Sequence, residues 1–176
     1  MYSTIKRYLV IILMFISGQF YVNAQADNET ITIYLVRHSE KDLASSNRSD
    51  PQLTQCGEQR SKALSNFFKE VNLDNIYSTN YNRTINTARP TAASKALDII
   101  EYNAQDLKTF SKLLIEKNQD ALVVGHSNTT GVLAGLLTGQ VIGAFDLDIY
   151  NRIYQVVINK KKGRLHLFHS SFVCAD

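Results

Sequence analysis

The sequence predicts an α/β domain built as a three-layer sandwich: a mainly parallel central sheet, helices on both faces and an antiparallel C-terminal edge hairpin. Three observations carry this. From residue 31 to residue 139, short apolar runs alternate with helix-period segments, as βαβ crossovers require. Runs such as "ITIYLV" and "ALVVG" are continuously apolar, as strands covered on both faces are. Near the C-terminus the pattern changes to two consecutive strand-like segments, "RIYQVVIN" and "RLHLFHSS", with turn chemistry between them.

Each element has its own signal. "ITIYLV" (31–36) is the first strand, and "SSNRSDPQ" (45–52) is a polar loop. Thr54, with Glu58 and Gln59 close behind, opens a helix that runs to about Glu70. Its apolar residues Ala63, Leu64, Phe67, Phe68 and Val71 recur at three- and four-residue steps, marking one buried face. "NIYST" (75–79) is a short strand. "NRTINTARPTAASKAL" (82–97) is helical, with a break or kink expected at Pro90. "DIIEY" (98–102) is strand, "AQDLKTFSKLLIEK" (104–117) helix and "ALVVGH" (121–126) strand. "TTGVLAGLLTG" (129–139) is a helix rich in small residues, able to pack closely, and the terminal hairpin is expected to turn at Lys162-Gly163.

At 176 residues the chain holds one domain with a real core. Its start reads differently from the rest. Lys6 and Arg7 precede the apolar "YLVIILMFISG", and Val22 and Ala24 supply small residues at a cleavage position. That order is a secretory signal peptide over residues 1–24, with a single α/β domain over 25–176 in a secreted or periplasmic protein. An uncleaved anchor is the alternative; after cleavage no stable membrane insertion is expected. Of the 19 Lys and Arg residues, Lys6 and Arg7 fall in that segment, which leaves 17 against 16 Asp and Glu. The mature charge is therefore about +1. With no basic stripe interleaved with aromatics, nucleic acid is not an expected partner. Cys56 and Cys174 would meet oxidising conditions and could pair, each lying near an element end, yet sequence alone does not place them within bridging distance. Two separate thiols are the expectation, and no Cys/His grouping has zinc-ligand spacing.

The chemistry gathers at strand ends, where open parallel sheets bind ligands. The first strand ends in Arg37-His38, the second in Ser78-Thr79 ahead of Arg83, and the fourth in Gly125-His126-Ser127. Singly these read as a surface ion pair, a helix-face salt bridge or a hydrogen-bonded core histidine. Together they bring two arginines and two histidines to one edge of one sheet. Neutral imidazole offers a lone pair near pH 7, and guanidinium pairs with phosphate oxygens through a planar fork.

These residues carry a resemblance. "LVRHSE" resembles the Arg-His-Gly signature of the histidine phosphatase superfamily, the phosphoglycerate mutase-like proteins; "YSTNYNRTINTARPTA" is similar to its second motif and "VVGHSNT" to its Gly-His motif. The one departure is Ser39, where glycine is commoner. The resemblance implies a metal-independent and cofactor-free phosphatase that hydrolyses phosphomonoesters through a phosphohistidine. It makes His38 the nucleophile and Arg37, Arg83 and His126 the phosphoryl-binding groups. Asn128 or Ser127 either adds a neutral donor or caps the following helix, capping being the simpler role.

An alkoxide leaving group needs a proton, and the acid is harder to find. The interval Ala92 to Gly125 holds only a strand and a helix, where larger relatives carry a long insertion. Asp106, Glu101 and Glu40 are the candidates, with Asp106 favoured; Asp106 equally suits a helix first turn and Glu40 a pairing with Arg37 or Lys41. The short interval resembles the compact lidless members, phosphohistidine phosphatases among them, whose open sites admit a small molecule or an envelope or protein phosphate. Two rival readings stand beside this one. A phosphate- or anion-binding module of the same fold would keep the cationic pocket without turnover. A serine hydrolase would use Ser127 in "GHSNT", with Asp146 or Asp148 and His166 or His169 downstream, although Thr129 occupies the last elbow glycine position.

Overall fold

The apolar run from Ile31 lies inside the sheet. The structure, a computed structural model, describes residues 30–160 and 162–174; the expected signal peptide therefore lies outside the described residues. Six strands are present: β1 (Thr30–Arg37), β2 (Asn75–Ser78), β3 (Ile99–Glu101), β4 (Ala121–Gly125), β5 (Arg152–Asn159) and β6 (Lys162–His169). Between them run α1 (Gln55–Phe67), α2 (Asn82–Lys95), α3 (Leu107–Lys117) and α4 (Thr130–Thr138). The sheet order is β3-β2-β4-β1-β5-β6, parallel from β3 to β1 and antiparallel through the β5–β6 hairpin. The three-layer α/β sandwich read from the sequence is the fold observed.

Continuous apolarity in β1 and β4 serves two cores. Side chains alternate across a strand, so Ile33 and Leu35 join one cluster and Tyr34 and Val36 the other. The first cluster packs under α3 and α4 with Phe110, Leu114, Leu133 and Val123; the second packs under α1 and α2 with Leu64, Phe68, Ala88 and Val124. No helix among the described residues is long and apolar enough to cross a membrane.

Several local expectations change. The Thr54 side chain caps α1 by accepting from the Gly57 N–H, but Phe67, expected on the buried face, is 46% exposed. Helix α2 runs through Pro90 without a break. Its missing N–H falls on a partly exposed face, while Thr84, Thr87, Ala88, Thr91 and Ala92 hold the opposite face in the core. The hairpin pairs Asn159 with Lys162, so its turn precedes Lys162-Gly163. Gly163 instead answers a close approach, because a Cβ there would collide with the Leu137 carbonyl of α4. The residue preceding α4 as its N-cap is Thr129, not Ser127 or Asn128.

Of the two readings left open for Cys56 and Cys174, the bridge and not the separate thiols is found: they form a disulfide with their Cα atoms 5.5 Å apart. It staples the C-terminal tail to the start of α1, a contact 118 residues apart in sequence that no local pattern announces.

Candidate active site

Register creates the site. Parallel pairing of β1 with β4 sets Arg37 opposite Gly125, and the His38 N–H donates to the Gly125 carbonyl at 2.9 Å. His38 and His126 therefore leave adjacent strands side by side, with ring centroids 5.5 Å apart. Gly125 is required here: a Cβ would sit 2.6 Å from the Tyr102 hydroxyl and 2.9 Å from Thr129 Oγ1.

His38 is 3% exposed, and its Nδ1 lies 2.7 Å from the Ser39 carbonyl oxygen. A carbonyl only accepts, so Nδ1 carries the hydrogen and Nε2 keeps its lone pair. Burial pulls the pKa down to about 3, against the Ser39 bond that favours the charged form and together with Arg37, His126 and Arg83, which oppose it. Ser39 is itself buried, its N–H donating to Thr87 Oγ1 at 2.9 Å, so α2 fixes the nucleophile's loop.

His126 is fixed by hydroxyls. Thr84 Oγ1 lies 2.9 Å from the carbonyls of Thr79 and Tyr81, and its single proton goes to one of them. The Thr79 hydroxyl, 3.0 Å away, then donates to Thr84 Oγ1. Thr79 Oγ1 accepts in turn from Nε2–H of His126 at 3.0 Å, which leaves Nδ1 as that ring's free nitrogen. Burial lowers the His126 pKa to about 4, assisted by Arg83, Arg37 and Lys41.

Two arginines complete the group. Arg37 Nη1 donates to the carbonyls of Leu147 (2.7 Å) and Ile149 (3.0 Å), and its guanidinium lies 4.1 Å over the Tyr150 ring. Arg83 stands 3.5 Å from Asp50 and 4.3 Å over the Tyr81 ring, which meets His126 edge-on at 5.3 Å. Burial lowers both guanidinium pKa values. The Nε atoms of Arg37 and Arg83 are buried without a hydrogen-bond partner, two of the four such side-chain atoms found among the described residues.

The acid candidates are placed elsewhere. Asp106 caps α3, accepting from the Thr109 N–H at 3.0 Å; that bond lowers its pKa, and its carboxyl is fully exposed. Depression and exposure are the opposite of what holds a carboxylic acid protonated near neutrality. Glu101 ends β3 and Asp106 follows it, three strand spacings from β1, roughly 14 Å across the sheet. Glu40 is held bidentately by Arg60 at 2.6–2.9 Å and by neither Arg37 nor Lys41 in a salt bridge. Asn128 is exposed. No hydrogen bond joins Ser127 to an imidazole among the described residues, and His166 and His169 lie on β6, three strands from β4. The cluster of potential metal ligands found among the described residues, Glu40 with Cys56 and Cys174, has its sulfurs tied in the disulfide.

Sequence reasoning missed Tyr81, Tyr150, Asp50 and Arg60. Thr79 alone had a signal, as a polar residue at a strand end. The others reach the site from loops and helices whose spacing says nothing about where they fold back.

The model of the histidine phosphatase superfamily (branch 1) matches residues 33–106. No curated protein matches the chain. Among solved structures, the fold is similar to the protein histidine phosphatase SixA complexed with tungstate, at TM-score 0.68 and 16% identity, covering 79% of this chain and 97% of that one. It is similar also to a putative alpha-ribazole-5'-P phosphatase from Escherichia coli (0.67, 17%, 80% and 97%). A phosphoserine phosphatase from Entamoeba histolytica in complex with 3-phosphoglyceric acid gives 0.62 at 16%, covering 80% and 98%. At these identities the likeness is one of fold. Residues 33–106, which hold the first two motifs, thus match the model of the histidine phosphatase superfamily, and the described chain shares the fold of these solved structures.

Proposed function

We propose that the protein is a metal-independent phosphatase that hydrolyses phosphomonoesters through a phosphohistidine on His38. The observation that carries this is the pair of buried, unpartnered Nε–H donors of Arg37 and Arg83 beside a neutral imidazole. Burying a charged donor without an acceptor costs about 1–3 kcal/mol or more, and a phosphoryl oxygen removes that cost. Arg37 is anchored through Nη1 to backbone carbonyls and Arg83 faces Asp50, so both forks are positioned before substrate arrives.

In this reading His38 Nε2 attacks phosphorus in line. The P–N bond forms as the P–O bond breaks, and the leaving oxygen departs with the electron pair and takes a proton from water. Water then attacks phosphorus, the P–N bond breaks and inorganic phosphate leaves, restoring the neutral ring. The guanidinia bind the equatorial oxygens. An approaching phosphoryl dianion favours a protonated His126, whose Nδ1–H joins them. Because no candidate carboxyl is placed as an acid, the chemistry favours leaving groups that need no protein proton: aryl oxides, anhydrides and phosphoramidates.

The test is phosphate release from an aryl phosphate, an alkyl phosphate and an N-phosphorylimidazole, run beside a carboxyl ester. The expectation is turnover of the first and third, acid-labile label on the quenched protein, and loss of both in His38→Ala. Full activity in that variant overturns the assignment. Ester cleavage selects the Ser127 hydrolase, and phosphate binding without turnover selects the binding module. The pattern in residues 1–24 and the Cys56–Cys174 bridge support a secreted or periplasmic location, tested by fractionation and by the mature N-terminal sequence.

A further inference from the structure

A cavity of about 370 Å³ opens between the β2–β3 edge and α3, within the size range of small-molecule pockets. Its walls are aromatic: Tyr102 stacks on Phe110 at 4.2 Å, and Tyr77 meets Phe110 edge-on at 5.3 Å. Ile100 and Leu113 lie at its mouth, 42% and 38% exposed. Tyr77 is only 3% exposed, yet its hydroxyl finds no hydrogen-bond partner among the described residues. Tyr77 lines this cavity, and its unpaired, accessible hydroxyl is open to a ligand's polar atom.

Charge at the rim sets the ligand's sign. Glu101, paired with Ser78 at the end of β3, lines the cavity and carries neither an ion pair nor a hydrogen bond among the described residues. Asp106 also lines it, one oxygen taken by the Thr109 N–H and its charge opposed by Lys112 and Lys108, which leaves Glu101 as the free carboxylate. The cation Lys117 lies at the opposite end of α3. We propose that this cavity is a second ligand site, distinct from the His38 pocket, which takes a small aromatic amine: the ring lies against Tyr102 and Phe110, a polar ring substituent meets the Tyr77 hydroxyl, and the ammonium faces Glu101.

Tyramine is the probe, with 4-hydroxyphenylacetate as its charge-reversed counterpart and phenethylamine as its hydroxyl-free one. Chemical-shift titration of the 15N-labelled folded chain should show tyramine moving the amides of 100–113 and binding at least 10-fold more tightly than 4-hydroxyphenylacetate. Phenethylamine should bind several-fold more weakly than tyramine, and Tyr77→Phe should remove that difference. Glu101→Gln should weaken tyramine about 5-fold or more. Leu113→Trp, which fills the mouth from a half-exposed position, should abolish binding while leaving aryl phosphate turnover unchanged. No tyramine binding at 10 mM, equal affinity for the carboxylate, or binding undiminished in both Glu101→Gln and Tyr77→Phe would overturn the proposal. The last two variants keep it open to refutation should Leu113→Trp not fold.

Discussion

The depressed imidazoles make folding stability fall in acid by an amount that can be worked out. His38 has a folded pKa of about 3, against about 6.5 for an exposed histidine. Between those values the unfolded chain binds a proton that the folded chain refuses, so lowering the pH favours unfolding. The limiting slope is about 1.4 kcal/mol per pH unit. Integrated from pH 7 to pH 5, the loss from His38 is about 2 kcal/mol. His126, at about 4 and less deeply buried, adds up to a similar amount. Against a total stability of about 5–15 kcal/mol this is a large effect from two side chains.

The assay is urea unfolding at pH 7 and pH 5 in phosphate-free buffer, on the wild type and on His38→Asn and His126→Asn. Each variant removes one titrating group, so the wild type should lose about 2 kcal/mol more than His38→Asn between the two pH values. Most carboxylates titrate below this window and contribute alike to all three proteins. Identical pH dependence in wild type and His38→Asn would refute the depressed pKa, and with it the argument that the ring stays neutral without a base.

Three further outcomes follow from single contacts. Arg83→Lys should lower kcat/KM on an aryl phosphate by about 10²-fold or more, since an ammonium lacks the fork, while the melting temperature barely moves. Thr79→Val breaks the hydroxyl chain that holds His126 Nε2 without changing side-chain shape; kcat should fall about 10-fold, and the 15N signature of that ring should lose its Nε2–H preference. The double variant Cys56→Ser, Cys174→Ser should be destabilised by about 2–5 kcal/mol in urea, because the bridge closes a span of 118 residues.

What the sequence made legible was whatever repeats locally. Continuous apolar runs announced strands covered on both faces, and β1 and β4 feed both cores as those runs imply. Three- and four-residue steps found α1, whose Leu64 and Phe68 are buried. The same steps misplaced Phe67, because the helix ends there and the next turn rolls it outward. Pro90 was weighed by intrinsic propensity, and the packing of Thr84, Thr87, Ala88, Thr91 and Ala92 overrode it. Whether the cysteines pair stayed open because Cys174 lies in the tail beyond β6, with no periodic neighbour to fix its position.

The site divides along the same line, and the division explains the acid. His38, Arg37 and His126 were legible because each ends a strand, and a parallel sheet gathers such ends whatever the order of its strands. Asp106 was proposed by the same rule, as a carboxyl just past a strand. The rule needs one more fact, the strand order, which alternation does not encode. β3 turned out to be the edge strand, with β2 and β4 between it and β1. A carboxyl after β3 therefore faces a helix terminus and an aromatic cavity instead of the nucleophile. Two carboxylates beside the cationic group are already engaged: Glu40 holds Arg60, and Asp50 takes the Asn82 N–H at 2.8 Å and its side-chain amide at 2.7 Å while facing Arg83. In the proposed reaction they hold cations and loops in place, so the demand for a leaving-group proton passes from the protein to the substrate.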